Sequence, residues 1–142
     1  MDPNKLNFKF LDHTADLGII VSGLDLKDLF KTAAKSMIKI IVKGKPAGKT
    51  NTVKLTVEGE DLADLMVRWL SEILYLFEGE KVVLTDVGIE SISPTHLDTI
   101  LITTSFDPSL HEILCEIKAV TYHQIEVEKK DDHWEAKVIF DV

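Results

Sequence analysis

Cysteine is nearly missing from this sequence: Cys115 stands alone. One thiol cannot close an internal disulfide, which suits a reducing cytosol, and Cys115 reads as a small buried hydrophobe. Arginine is equally scarce. Arg68 is the single arginine in a chain of net charge −8. The guanidinium group grips phosphate with two parallel hydrogen bonds and reads base edges, so direct sequence-specific nucleic-acid binding is not expected. Long apolar runs are absent too. None approaches the ~20 residues that span a bilayer, and Met1 to Lys9 lacks the apolar segment of a secretory signal. The expected location is therefore cytoplasmic, with no membrane partner.

Catalytic motifs are also missing. Gly48-Lys49-Thr50 resembles the end of a phosphate-binding P-loop, but the first glycine of that pattern falls on Lys43. The loop also follows a helical pattern and precedes a strand, the reverse of the P-loop order. His111-Glu112-Ile113-Leu114-Cys115 resembles a zincin helix with its second histidine replaced by cysteine. His13, His96, His111, His123 and His133 show no zinc-ligand spacing. No serine or cysteine sits in a nucleophile motif. The residue set of a stand-alone enzyme is not there.

What the 142 residues do contain is an internal duplication. Val21-Ser22-Gly23-Leu24-Asp25-Leu26-Lys27-Asp28-Leu29 and Val57-Glu58-Gly59-Glu60-Asp61-Leu62-Ala63-Asp64-Leu65 both read V-x-G-x-D-L-x-D-L. In each, a strand ends at valine, glycine turns the chain and aspartate caps a helix, while a second aspartate in the first turn meets the helix dipole. The first helix is expected from Asp25 to Ile41, with Leu26, Leu29, Phe30, Ala33, Met37, Ile40 and Ile41 as its buried stripe. Lys27, Lys31, Lys35 and Lys39 lie opposite, as a solvated face or as a docking stripe for an acidic or RNA-bearing partner. The second helix is expected from Asp61 to Phe77, apolar on most sides.

Strands fill the rest. Thr56 and its neighbours alternate with Val53, Leu55 and Val57. Val82 to Ile92 and Leu97 to Phe106 flank the turn Ser93-Pro94-Thr95. Ile117 to Glu128 and Trp134 to Asp141 flank the polar turn Lys129 to Asp132 as a hairpin. Two helices packed on mostly antiparallel sheet make an α+β fold, in one domain covering residues 1–142.

Carboxylates at the two ends of the sequence form the candidate site. Asp12 continues the phase of Phe8 and Phe10 toward the expected core side, where a bare carboxylate is costly. It is either a turn carboxylate that accepts backbone N–H groups or a metal ligand. Trp134, Ala136, Val138 and Phe140 share one face of the last strand, and Asp141 falls on the other with Glu135, Lys137 and Ile139. Val142 adds an α-carboxylate. If the first and last strands were neighbours, Asp12, Asp141 and Val142 would converge as an oxygen-only site suited to Ca²⁺ or Mg²⁺.

These residues also carry a family resemblance. Asp12-His13-Thr14-Ala15-Asp16, the run Trp69 to Glu78, Lys118-Ala119-Val120-Thr121-Tyr122-His123, and Val138-Ile139-Phe140-Asp141-Val142 together resemble the archease family, in the same order from about residue 8 to the last. One departure is Gln124, where glycine is expected after Tyr122-His123. The resemblance implies an accessory protein of the GTP-dependent RNA ligase that joins tRNA exon halves in tRNA splicing. Such a protein promotes ligase guanylylation and multiple turnover and is not itself a catalyst. It implies duplicated strand–helix–strand–strand modules, one inserted in the other. It also implies a divalent cation, typically calcium, on Asp12, Asp141 and Val142. His13 and Asp16 would support those ligands or touch the partner. Two other readings remain: a general chaperone or interaction module, and a small metal-dependent hydrolase built on Asp12, Asp16 and Asp141.

Overall fold

The computed structural model describes residues 6–11 and 16–142. Both copies of the repeat fold as the sequence demands. In the first, β2 (Leu17–Gly23) runs into α1 (Leu26–Ile41). The Asp25 carboxylate caps α1 by accepting from Asp28 N–H, and the Asp28 carboxylate accepts from Leu24 N–H in return. The second copy repeats this: β4 (Thr50–Glu58) leads into α2 (Leu62–Glu80), Asp61 accepts from Asp64 N–H, and Asp64 from Glu60 N–H. Each aspartate thus satisfies a backbone donor that the helix start leaves without a partner. The glycine in each copy is a contact requirement. A β-carbon on Gly23 would sit 2.5 Å from the Leu29 nitrogen, and one on Gly59 2.9 Å from the Leu65 nitrogen.

The remaining strands are β1 (Phe8–Leu11), β3 (Val42–Gly44), β5 (Val82–Ser93), β6 (His96–Ser105), β7 (His111–Ile113), β8 (Ala119–Val120), β9 (Glu126–Lys129) and β10 (Trp134–Asp141). One sheet has the order β1-β2-β10-β8, with β9 also on β10. A second has the order β4-β6-β5, and β3 pairs with β7. Every pairing is antiparallel. In β2-α1-β9-β10 and in β4-α2-β5-β6, the strand made last lies between the other two, and the second set sits in sequence between α1 and β9.

The main core lies between the helices and the sheets. Ile19, Val21, Leu29, Phe30, Met37, Trp69, Leu70, Leu101 and Phe140 are fully buried in it. The Trp69 indole N–H donates to the Phe30 carbonyl at 2.9 Å, a buried bond that ties α2 to α1.

Four expectations need correction. The lysine stripe of α1 is not an open face. Lys31 and Lys35 pair with Asp86 on β5 at 3.9 and 3.5 Å, and Lys27 donates to the Glu90 carbonyl at 3.2 Å. Burial raises the Asp86 pKa, but the Val87 N–H and the two lysines outweigh that and hold it below its ordinary value. Only Lys39 of the four lacks such a link to β5. Next, α2 runs three residues past Phe77, to Glu80, and ends where Lys81 takes the left-handed conformation (φ 57°). Third, the strand expected from Ile117 to Glu128 is two short strands separated by a turn over residues 121–125. Finally, β1 has the expected phase, with Phe8 and Phe10 beside Val21 and Ile19, but it is an edge strand and Phe10 is 58% exposed. The face that Phe10 shares is therefore not a core face at the end of β1.

Candidate functional site

The first and last strands are not neighbours. β2 lies between β1 and β10, so Leu11, Gly18 and Ile139 form one row across three strands. Convergence therefore has to be read at the end of the sheet rather than along one strand pair. The end of β1, the start of β2 and the end of β10 share that rim. The last aligned pair of β2 and β10 is Leu17 with Phe140, and the register continued by one residue sets Asp16 across from Asp141. Asp141 and Val142 are exposed there. Asp12 and His13 lie outside the described residues. Among the described residues, no three histidine, cysteine, aspartate or glutamate side chains are grouped so as to hold a metal ion.

Sequence reasoning grouped Ile139 with Asp141 on the outward face, and Ile139 is nevertheless fully buried. Its row explains the space. A β-carbon on Gly18 would lie 3.1 Å from the Leu11 side chain, so Leu11 packs against the bare backbone next to Ile139. The rim is thus apolar just inside the carboxylates.

On the far side of β10, β8 brings the Lys118 to His123 motif to the same rim. Ala119 pairs with Asp141, and Lys118 N–H donates to the Asp141 carbonyl at 2.7 Å. Thr121 then fastens the chain to Ile139: its hydroxyl and its N–H both donate to the Ile139 carbonyl, at 2.8 and 3.1 Å. The turn that follows breaks the expected strand. Gln124 occupies the left-handed region (φ 53°), a conformation that suits the glycine the family resemblance puts there. Gln124→Gly should therefore stabilise the protein by about 0.5–1 kcal/mol, the cost of the left-handed side chain less the added freedom of the unfolded chain. A lower thermal midpoint for this variant would contradict that account.

One cluster escaped sequence reasoning. The Tyr122 hydroxyl donates to the Asp64 carboxylate at 2.6 Å, and Arg68 pairs with the same carboxylate at 2.9 Å. The Tyr122 bond, the Glu60 N–H and Arg68 hold the Asp64 pKa below its ordinary value, while the Asp64 carboxylate raises that of Tyr122. This joins the 121–125 turn to the first turn of α2. The available signal was that Asp64 in the repeat and Tyr122 in the last motif were each noticed separately.

Chemically, the rim offers oxygen donors. Carboxylates such as those of Asp16 and Asp141 suit a hard cation such as Ca²⁺ or Mg²⁺, so these described residues are of the right type for one.

Comparison with known proteins gives the family and the fold. The model of the archease protein family matches residues 8–142. An archease of Methanosarcina acetivorans is 36% identical over 140 residues, covering 95% of each chain. One from Pyrococcus furiosus is 36% identical over 135 residues, covering 92% of this chain and 95% of its own. The solution structure of protein 1598 of Methanobacterium thermoautotrophicum superposes with a TM-score of 0.69 at 28% identity, covering 96% of this chain and 99% of that one. A Thermotoga maritima crystal structure, described as an archease and possible chaperone, has the same fold, with a TM-score of 0.67 at 19% identity and coverage of 94% and 96%.

Proposed function

This chain belongs to the archease family, and from that premise we propose that it is an accessory protein that activates the GTP-dependent RNA ligase of tRNA splicing. It promotes ligase guanylylation and multiple turnover and catalyses nothing itself. The observation that carries this reading is the family match through residue 142, which includes the Asp141 rim. In this reading Asp12, Asp141 and the Val142 carboxylate hold a divalent cation, calcium for preference, with His13 and Asp16 supporting them or meeting the ligase. Bound there, the ion supplies positive charge to an acidic rim that faces the ligase. Activation is then a binding effect: the protein shifts the ligase by preferring its competent state.

The test is multiple-turnover RNA ligation by the ligase of the same organism, with wild type and Asp141→Ala, beside calcium titration of each protein. Wild type should restore turnover. The variant should lose that stimulation and bind calcium more weakly by on the order of tenfold or more, because one anionic ligand is gone. Equal stimulation and equal calcium affinity in the two proteins would remove the rim from the mechanism. A second reading, as a general chaperone, is favoured by the description of the Thermotoga protein. It predicts suppressed aggregation of unrelated proteins and no preference for the ligase.

A further inference from the structure

A second polar site lies away from the carboxylate rim. Beneath the loop that follows β3 is a cavity of about 470 Å³, with Lys35, Lys39, Lys43 and Lys45 in its wall. No described carboxylate lines it, although the chain carries a net charge of −8. Two of the lysines are engaged from outside the wall: Lys35 with Asp86 at 3.5 Å and Lys43 with Glu112 at 3.1 Å. Lys39 and Lys45 make no ion pair among the described residues, and both are exposed. Four lysines in the wall of one cavity, two of them without a carboxylate partner among the described residues, give this acidic protein a local field opposite to its own net charge.

His111 supplies the independent observation. It lines the same cavity and is only 6% exposed. Its Nδ1 accepts the Asp107 N–H at 2.9 Å, so a neutral ring carries its proton on Nε2. That N–H makes no hydrogen bond among the described residues and is not enclosed by protein, so it is open to solvent and free to donate. The ring edge that carries Nε2 faces Gly44 in the cavity wall, where a β-carbon would meet Cδ2 at 2.8 Å. The loop bearing Lys45 is held in place by Thr104, whose hydroxyl accepts the Ala47 N–H and donates to the Lys49 carbonyl, each at 3.0 Å. The opposite wall is aliphatic, with Ile38, Val42, Val83 and Leu84.

We propose that this cavity binds a small organic phosphate. The phosphate takes the Lys39 and Lys45 ammonium groups and the His111 Nε2–H, and the apolar body of the ligand lies against Ile38, Val42, Val83 and Leu84. The grip comes from side chains, so the failure of Gly48-Lys49-Thr50 to match a P-loop does not bear on it. A charged donor on a phosphate contributes enough that losing one lysine weakens binding about tenfold.

The experiment is an amide-resolved NMR titration of the full chain with adenosine monophosphate, adenosine and inorganic phosphate, repeated for Lys39→Ala and Lys45→Ala. Adenosine monophosphate should shift the amides of Lys43, Gly44, Lys45 and His111. Each variant should bind it about tenfold more weakly, and adenosine should leave these amides unmoved. Three results would each overturn the proposal: no shift with millimolar nucleotide, equal binding by wild type and both variants, or inorganic phosphate binding as tightly as the nucleotide. Both substituted lysines are exposed, so the variants keep the fold, and the native amide pattern verifies this in the same spectra.

Discussion

Trp69→Ala is expected to lose about 3–5 kcal/mol of stability, the range for removing a large aromatic side chain from a packed interior. Trp69 is fully buried and is the largest side chain in the core. It fills the space between the helices and gives the Phe30 carbonyl a second donor across the α1–α2 contact. Trp69→Phe separates the two contributions. It keeps most of the apolar volume and removes the indole N–H, so it should cost about 1–2 kcal/mol. Domains of this kind are stable by roughly 5–15 kcal/mol in total, so the alanine variant loses a large share of what holds the fold. Urea unfolding followed by circular dichroism measures both. If Trp69→Ala fell within 1 kcal/mol of wild type, the tryptophan would not be the joint between the helices.

Gly44→Ala is the second large effect, and its origin is the backbone. Gly44 has φ of 142°, a region closed to residues with a side chain. A β-carbon there would lie 2.1 Å from the Leu110 carbonyl oxygen and 3.0 Å from the His111 Cα. Strain and overlap act together, so the variant should lose about 2–4 kcal/mol and open the β3–β7 pairing. Gly48→Ala is the matched control. Gly48 also has positive φ, 60°, but among the described residues nothing beyond its chain neighbours stands within 4 Å of the added carbon. It should cost only the left-handed penalty, about 1 kcal/mol. Equal losses at the two glycines in parallel unfolding curves would show that overlap at Leu110 contributes nothing.

The parts of the fold legible in the sequence were the local ones. Asp25 with Asp28 and Asp61 with Asp64 act over three residues of one chain segment, and their spacing alone told where each helix begins. The Ser93-Pro94-Thr95 turn was legible for the same reason, since a hairpin pairs residues close in sequence. What failed was non-local. Lys31 and Lys35 look solvated on a helical wheel because nothing nearby in sequence shows that Asp86 will face them. The position of β2 between β1 and β10 depends on a pairing that spans almost the whole chain. The short β7 strand went unnoticed because three residues opposite β3 leave no periodic trace. For the site, sequence identified Asp16 and Asp141 separately, but only the β2–β10 register, continued one residue past Leu17 and Phe140, sets them opposite each other. The lysine-walled cavity is half visible in the sequence as a basic Gly/Pro loop, and its other half, His111, reads there only as the histidine of an incomplete zincin pattern.

The position of β10 also has a consequence for how the protein is made. Trp134–Asp141 is the strand that β2, β8 and β9 all pair with, and it leaves the ribosome after all three. Until then β2 has only β1 for a native neighbour in its sheet, and the carboxylate rim has no floor. The β4-α2-β5-β6 segment has no such wait, since every strand of its sheet lies between residues 50 and 105. The nascent chain can therefore complete its inner sheet while the outer one is still an open edge, and the acidic rim forms only once β10 has emerged.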